Sequence, residues 1–334
     1  MQTRFGWITF ARMAIAIGIA AVAGAGPAKA QNFPSRPVRL VVPYPAGGYT
    51  DLLARALSPQ LTAALGQPIV IESKPGAATL IGQEYVAKQP ADGHTLLLAG
   101  ASALTNALLR KQVPYRLEAD FMPVSNVVIQ PLALITSPAS GANNLREFVA
   151  YFKTSPGKHA YAIVGKGAIT HLTGEMMNAE MGINLFDVPY GGDAPAYTAM
   201  MRGDSHYILS PIGSAMPFVR DGRLRFLAVM GEKRLAIIPE VPTFAESGYP
   251  NFRYPGKFAG PWFGMFVAKG TPPAIASRLN AAVLKVLAQP EVIAYIERQG
   301  GIPSPTSPEE FLDQLNVELP GWAKVIQQLG LKAE

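Results

Sequence analysis

Residues 43–55 read PYPAGGYTDLLAR, a Gly-Gly loop between the apolar run VRLVVPY (38–44) and a helical pattern that stops at Gly66. Glycine has no side chain to keep a ligand away from the backbone, and the first turn of a helix leaves about four N–H groups without partners. The stretch therefore predicts a strand, a loop and a helix. Its N–H groups could hold a phosphate, a carboxylate or nothing at all.

Short apolar runs alternate with helical patterns along the rest of the chain. In the first part, predicted strands at 68–73 and 94–100 flank a predicted helix at 79–89. This βαβαβ order predicts a parallel, doubly wound sheet, and a second series starts near residue 126. The other predicted elements are strands at 132–137, 159–165, 186–190, 207–211, 224–230 and 261–270, and helices at 51–66, 103–110, 144–157, 171–182, 194–204, 272–290, 290–300 and 307–330.

Two extended stretches, at about 121–131 and 252–262, separate the two series. They predict two α/β lobes joined by a pair of crossings, with the C-terminal helices returning to the first lobe. The predicted organisation is a signal peptide at 1–30, a first lobe made of 31–129 and 256–334, and a second lobe at 130–255.

The first thirty residues have the three parts of a secretory signal peptide. Arg4 and Arg12 form a basic start, MAIAIGIAAVAGAG (13–26) is an apolar core, and PAKA (27–30) supplies an Ala-x-Ala site. Because the apolar run is short for a membrane span, we expect cleavage after Ala30 rather than an anchor. The mature chain is therefore predicted to be a soluble protein of the bacterial periplasm.

Composition excludes several classes of function. The 334 residues contain no Cys, which removes disulfides, thiolate catalysis and Cys-based zinc sites. Cleavage of the signal peptide reduces the excess of basic over acidic residues from six to three. The remaining basic residues are scattered, so nucleic acid is not expected as a partner.

Motifs for common cofactors and catalytic groups are missing. The chain has no G-x-x-x-x-G-K-[ST], no G-x-S-x-G and no H-E-x-x-H, and the first loop lacks the spacing of G-x-G-x-x-G. His94, His159, His171 and His206 are far apart and show no metal-ligand spacing. We therefore expect neither a metal ion nor a cofactor.

A second loop, VGKGAITH (164–171), resembles the first loop, PYPAGGYTD (43–51). Each follows a predicted strand, contains glycines and opens a helix, where the helix dipole favours an anion. Taken alone, each loop is an ordinary connection with Thr50 or Thr170 as N-cap. Ligands of open α/β sheets bind at the carboxyl ends of strands. The presence of two such loops therefore favours two anion-binding loops that face each other across a cleft over two ordinary connections.

Seven motifs occur along the mature chain in the order of a known family: VPYPAGGYTDLLARAL, LGQPIVIESKPGAATLIG, PADGHTLLLAG, PGKHAYAIVGKGAITHLTGEM, VPYGGDAPA, LAIIPEVPTFAESGYP and WFGMFVAKGTPPAIASRLN. Through them the chain resembles the Bug family, the periplasmic solute receptors of tripartite tricarboxylate transporters. The resemblance implies a two-lobed Venus-flytrap fold of the type II periplasmic binding class, and a carboxylated ligand. In that family the loops matching 43–51 and 165–171 hold a carboxylate through backbone N–H groups, hydroxyls and bound water.

The candidate ligand-binding residues lie in these two loops and at two further strand ends. Ser102 follows a predicted strand, where a hydroxyl contact is expected. The full set is Tyr44, Gly47, Gly48, Tyr49, Thr50, Asp51, Ser102, Gly165, Gly167, Ala168, Thr170, His171 and Asp193.

The chain departs from the family pattern where Ile163 and Ala168 replace the usual hydroxyl residues and Ile169 replaces the usual proline. Gly191 and Asp193 also stand where Lys and a small residue are frequent, and Ala78-Thr79 stands where Gly-Gly is usual. These changes favour a ligand with one carboxylate and an apolar or aromatic body over a di- or tricarboxylate. Tyr44, Tyr49 and Phe258 could supply stacking faces.

Several side chains have two interpretations. Asp193 could bind a ligand amine or hydroxyl, but an N-cap for the helix at 194–204 is favoured. His171 could donate to the ligand or cap the first helical turn, and Tyr49 could stack on the ligand or be an ordinary surface aromatic at a loop tip. Trp262 is predicted to pack at the hinge and Trp322 in the core.

The sequence favours a monomeric receptor that closes on a small organic carboxylate and then docks on membrane transporter subunits or a sensor kinase. The alternative is a periplasmic enzyme, a hydrolase or isomerase acting on an organic acid. Only His171 and Asp193 are candidates for its catalytic groups, and no elbow Ser accompanies them. Conversion of a bound acid distinguishes the two classes.

Overall fold

The computed structural model describes residues 33–331, so the predicted signal peptide lies outside the described residues. The strands are β1 Val38–Val42, β2 Ile69–Ser73, β3 Thr95–Gly100, β4 Phe121–Ile129, β5 Leu132–Thr136, β6 Ala160–Ile163, β7 Phe186–Pro189, β8 Tyr207–Pro211, β9 Arg225–Val229, β10 Trp262–Ala268 and β11 Ile302–Pro303. The α-helices are α1 Tyr49–Leu65, α2 Leu80–Ala87, α3 Ser102–Leu109, α4 Leu117–Asp120, α5 Leu145–Lys153, α6 Ile169–Met181, α7 Asp193–Arg202, α8 Ile212–Arg220, α9 Pro273–Leu287, α10 Pro290–Arg298 and α11 Pro308–Gln328.

The first sheet has the strand order β11-β4-β10-β3-β1-β2. Strands β1, β2 and β3 are parallel, as the βαβαβ pattern predicts. Strand β10 is antiparallel to both β3 and β4, so the sheet is mixed rather than wholly parallel. The reason is the path of the chain: β4 leaves this sheet toward the second lobe, and β10 returns from it.

Both faces of the first sheet are covered, as in a doubly wound fold. Leu40 and Val42 belong to one buried cluster and Val41 to another, since successive side chains of a strand point to opposite faces. Among the described residues no single helix is long and apolar enough to span a membrane. Only the pair α9 and α10, taken together across a 74° bend, has the length and composition of a span.

The two crossings between the lobes lie side by side. Ile129, at the end of β4, pairs with Trp262, at the start of β10. The Gln130 N–H then donates to the Pro261 carbonyl over 2.6 Å. The extended stretches predicted near 121–131 and 252–262 therefore meet at one place, although most of the first is a strand of the first sheet.

The second lobe has a three-stranded antiparallel sheet, β8-β5-β9, and a parallel pair, β6 and β7. This arrangement differs from the parallel sheet that a βα series predicts. The His206 N–H donates to the Ala160 carbonyl over 2.9 Å, which joins the beginnings of β8 and β6. Strands β6, β7 and β8 therefore run in the same direction. The sequence did not predict α8, whose pattern is interrupted by Pro217.

A buried carboxylate fastens α11 to the second crossing. Glu318 Oε1 accepts hydrogen bonds from the Tyr254 hydroxyl (2.7 Å) and Trp322 Nε1 (3.2 Å), and its Oε2 accepts from Trp262 Nε1 (2.8 Å) and Gln314 Nε2 (2.7 Å). Burial raises the pKa of Glu318 to about 7, and the four donors limit the rise. Both tryptophans are fully buried, which confirms the core position of Trp322 and shows that Trp262 is packed at the second crossing.

A left-handed turn precedes α2. Ala77, Ala78 and Thr79 have φ values of 45°, 52° and 80° at the place where the resemblance leads one to expect Gly-Gly. An L-residue in this region costs roughly 1–2 kcal/mol relative to the right-handed one. The turn therefore stores conformational strain beside the first sheet.

We expect Ala78→Gly to increase the free energy of unfolding by about 1 kcal/mol, because glycine adopts the left-handed conformation without that cost. Ala78 is exposed, so no packing is lost. Urea denaturation measures the change. The matched control Ala281→Gly, at an exposed site inside α9, should lose about 1 kcal/mol. A loss of stability in Ala78→Gly as well would show that the turn is not strained.

Candidate functional site

Helix N-termini face each other across the cleft between the lobes. In the first lobe, α1, α2 and α3 follow the carboxyl ends of β1, β2 and β3, at the edge where β10 begins. In the second lobe, α6, α7 and α8 follow β6, β7 and β8, at the edge where β5 begins. Since β5 and β10 both begin at the crossings, the two edges are opposed. A Cβ placed on Gly167 would lie 3.1 Å from Leu109 Cδ1 at the end of α3, so the lobes touch there.

In the first glycine loop (43–51), Gly48 rather than Thr50 is the N-cap of α1. Gly47 has a φ of 80°, and its N–H donates to Asp51 Oδ2 over 2.9 Å. Arg55 Nε also donates to Asp51 Oδ2, over 2.8 Å. Asp51 is therefore turned inward, and only 1% of it is exposed. The capping role weighed for Thr50 is wrong because the helix begins one residue before it.

The pKa of the Asp51 carboxyl group lies below its usual value. The hydrogen bond from Arg55 lowers its pKa most, and those from the Gly47 N–H and the Ser73 hydroxyl lower it further. Asp51 therefore compensates the charge of Arg55 and fixes the loop, and it leaves the backbone N–H groups at the start of α1 as the donors for an anion.

Tyr44 and Ser102, which are far apart in sequence, come together in the structure. The Tyr44 hydroxyl lies 3.2 Å from Ser102 Oγ at the start of α3, and its ring meets Phe263 edge-on at 5.8 Å between centroids. Burial raises the pKa of Tyr44, so the hydroxyl stays protonated. The two hydroxyls border the first loop as a neutral hydrogen-bonding pair.

Tyr49 is the first residue of α1, not part of a loop tip. Its ring packs against Phe263 at 5.5 Å between centroids, and its hydroxyl is buried without a hydrogen-bond partner among the described residues. The interpretation as an ordinary surface aromatic is therefore wrong. The packing against β10 fixes the ring beside the loop.

The second glycine loop (164–171) repeats this design. Ala168 is the N-cap of α6, so Thr170 is not the cap, and Gly165 and Gly167 have φ values of 92° and 75°. The Gly167 N–H donates to His171 Nδ1 over 3.0 Å. Of the two interpretations of His171, the structure supports the one in which it stabilises the first turn of the helix.

Two of the three apolar departures at this loop are buried, and Ala168 is half-buried. Ile163 is 1% exposed and Ile169 is 6% exposed. Lys166 Nζ lies 3.7 Å from Asp187, and Lys74 Nζ lies 4.1 Å from the centre of the Tyr85 ring, so these cations are engaged. The donors that the start of α1 and the second glycine loop offer to an anion are therefore mainly neutral backbone N–H groups and hydroxyls.

Asp193 is the first residue of α7, and Gly192 rather than Asp193 is its N-cap. The favoured interpretation as an N-cap is therefore wrong. Asp193 Oδ1 accepts from the Ser210 hydroxyl over 2.8 Å, and Tyr197 donates to Ser210 over 3.0 Å. Burial raises the pKa of Asp193. The sequence interpretation missed Ser210, although a serine at the end of a predicted strand signals it.

A cavity lies beside the crossings, away from the glycine loops. Its volume is about 710 Å³, and it is bordered by Pro131, Gly231 and Arg253. Phe258, a predicted stacking residue, lines this cavity. None of the thirteen candidate residues lines it, so it is separate from the candidate site. No group of three metal-ligating side chains occurs within residues 33–331.

Known proteins resemble the chain over most of its length. The model of the tripartite tricarboxylate transporter family receptor matches residues 53–331. BugT of Bordetella pertussis is 35% identical over 320 residues, which cover 95% of this chain and 97% of BugT. The structure of an R. palustris protein with adipate is 30% identical, has a TM-score of 0.82 and is matched over 90% of this chain and 100% of that one. MatC from Rhodopseudomonas palustris with bound malate is 30% identical, has a TM-score of 0.77 and is matched over 88% and 100%.

Proposed function

The chain belongs to the tripartite tricarboxylate transporter receptor family, and from this premise we propose that it captures a small organic carboxylate between its two lobes. The bound form delivers the acid to the membrane subunits of a tripartite tricarboxylate-type transporter or to a sensor. The observation that carries the proposal is the opposition of two glycine loops, each of which opens a helix at the carboxyl end of a strand.

The chemistry of the site suits a carboxylate. Backbone N–H groups and helix dipoles attract an anion without a fixed cation. Closure of the lobes excludes water, which strengthens each of these contacts. Two relatives of the same fold hold adipate and malate, which are organic acids.

The proposed lobes are 31–129 with 256–334, and 130–255, and they hinge at the paired crossings. The sheets support this division, because the first uses strands from both ends of the chain and the others use only the middle. We propose further that residues 1–30 are cleaved during export and that the mature protein acts as a monomer in the periplasm.

The proposed ligand has one carboxylate and an apolar or aromatic body. Asp193, in the second lobe near the start of α7, would repel a second carboxylate that reached it. Ile163 and Ala168 stand where hydroxyl residues are usual in the family, which removes two donors at the second loop. Tyr44 and Tyr49 flank the first loop with aromatic rings.

We expect monocarboxylates with apolar bodies, such as benzoate and hexanoate, to raise the melting temperature of the purified mature protein more than citrate does. The reason is that the two glycine loops offer neutral donors for one carboxylate, whereas Asp193 would repel a second carboxylate at the other end of the ligand. A thermal-shift screen at one ionic strength measures this. A dominant shift with citrate would contradict the proposed ligand class but not the receptor function.

Enzymatic activity remains the competing function and has a direct test. His171 accepts from the Gly167 N–H, and the Ser210 hydroxyl that donates to Asp193 is fully buried, so neither side chain is paired with an accessible nucleophile. Incubation of each stabilising acid with the protein, followed by mass spectrometry, should return the acid unchanged. Conversion of the acid would refute the receptor proposal.

A further inference from the structure

The two glycine loops are anchored by the same device. In each, the third residue of the following helix accepts a hydrogen bond from the N–H of the glycine four positions earlier. The acceptor is Asp51 Oδ2 for Gly47, at 2.9 Å, and His171 Nδ1 for Gly167, at 3.0 Å. Both glycines have positive φ values, 80° and 75°. The two lobes thus shape their loops by equivalent contacts that differ only in the acceptor group.

Both acceptors are too buried to be the main contacts of a ligand. Asp51 is 1% exposed and His171 is 8% exposed. Each bond restrains a left-handed glycine next to the helix N-terminus, and so fixes the directions of the neighbouring N–H groups. The two side chains therefore influence a bound anion through the backbone of the loops.

We propose that Asp51 and His171 are matched positioning residues, and that protonation of His171 releases the second glycine loop while the first stays anchored. The inference deepens the proposed receptor function and rests on it for the effect on ligand affinity. Acidification would then weaken one half of the site and favour release of the bound acid.

The difference follows from the chemistry of the two acceptors. Nδ1 of His171 accepts from Gly167 only while it carries no proton, which places the ring proton on Nε2. Protonation turns Nδ1 into a donor that faces the Gly167 N–H, and the bond is lost. A carboxylate has no such switch near neutral pH, and Arg55 keeps the pKa of Asp51 below its usual range.

The groups around His171 set the direction of the pH dependence. Burial lowers the pKa of His171 most, Glu175 on α6 and Asp187 on β7 raise it, and Lys166 in the loop lowers it. The folded pKa therefore lies below the ordinary value of 6.5. The neutral, accepting form persists above that ordinary value, and the anchor is lost as pH falls through the folded pKa.

The first experiment needs no ligand. The amide resonances of Gly47 and Gly167 and the imidazole nitrogens of His171 are followed by NMR in the mature chain from pH 8 to pH 4.5. We expect the Gly167 amide to titrate with the same midpoint as His171, and the Gly47 amide to stay constant over the midpoint. A Gly167 amide that does not follow His171 would overturn the proposal.

His171→Asn supplies the matched variant, because its amide oxygen is an acceptor that does not titrate. The Gly167 amide should then be insensitive to pH in this range. As a control, His206→Asn removes another histidine whose pKa is lowered by burial, and it should leave the titration of Gly167 in place. Persistence of the Gly167 titration in His171→Asn would equally overturn the proposal.

The second experiment measures binding of benzoate and adipate by calorimetry at pH 7.5 and at one pH unit below the His171 midpoint found by NMR, corrected for ionisation of each acid. Loss of one hydrogen bond predicts affinity about 2- to 10-fold weaker at the lower pH. His171→Asn should show no such loss. Equal losses in the two proteins would refute the role of His171. If neither acid binds while Gly167 still titrates, the positioning role stands and the proposed ligand class fails.

Discussion

Gly48→Val is expected to weaken binding of a carboxylate by at least about 100-fold while the first lobe stays folded. Gly48 is the N-cap of α1 and has a φ of −74°, which valine also adopts. Its side chain would project beside the first N–H groups of the helix and keep the anion at a distance. Loss of two charge-assisted hydrogen bonds corresponds to roughly 3 kcal/mol or more.

Calorimetry with the acid that gives the largest thermal shift measures the loss, and circular dichroism checks the fold. Gly48 is not free of steric constraint, because a Cβ there would lie 3.2 Å from the Pro45 carbonyl, so a small adjustment of the loop is expected. Ala63→Val, at an exposed site of α1, is the matched control and should bind normally. Unchanged affinity in Gly48→Val would show that the first glycine loop does not hold the ligand.

The second large effect concerns stability and Glu318. Its folded pKa of about 7 lies above the unfolded value of 4.5, so the folded protein holds this proton more tightly. The contribution of Glu318 is therefore fully present below pH 4.5 and is lost as pH rises through 7. The difference corresponds to about 3 kcal/mol of unfolding free energy between these limits.

Glu318→Gln should remove this pH dependence, because an amide does not titrate in that range. It should also lower stability at pH 5, since its NH2 group would face a donor from Tyr254, Trp262, Gln314 or Trp322. Urea denaturation from pH 5 to pH 8 gives the difference between variant and parent. Glu309→Gln, exposed in the first turn of the same helix, should keep the pH dependence of stability that the parent shows. If the stability of Glu318→Gln changes with pH as steeply as that of the parent, Glu318 is not the source of the pH dependence.

Local patterns predicted most of the elements because periodicity and glycine stops are properties of neighbouring residues. The helix predicted at 51–66 is α1 Tyr49–Leu65, and the strand predicted at 38–44 is β1 Val38–Val42. Strand direction was not predictable in the same way. The apolar run that forms β10 reads the same whether it lies parallel or antiparallel to β3.

The sequence predicted the positions of the two glycine loops, but it did not predict the individual contacts of their side chains. Both glycine loops open helices as predicted, but the caps are Gly48 and Ala168 rather than the threonines. Asp193 finds its partner in Ser210, 17 residues away in sequence, and the position of this serine at a strand end does not reveal which side chain it contacts. Contacts of this kind depend on the tertiary packing, so their assignment required the structure.

The side-by-side crossings have a consequence for how the chain must fold. Because β4 and β10 are antiparallel neighbours, the second lobe occupies the place that a hairpin turn would have in a continuous sheet. The first sheet is therefore incomplete until residues 130–261 have been synthesised. The pairing of β4 with β10 joins residues that are far apart in sequence, and the entropic cost of closing that long loop is smaller when the second lobe has already folded and brought Gln130 close to Pro261. The paired crossings, which we propose as the hinge, are thus also the junction at which assembly of the first sheet is completed.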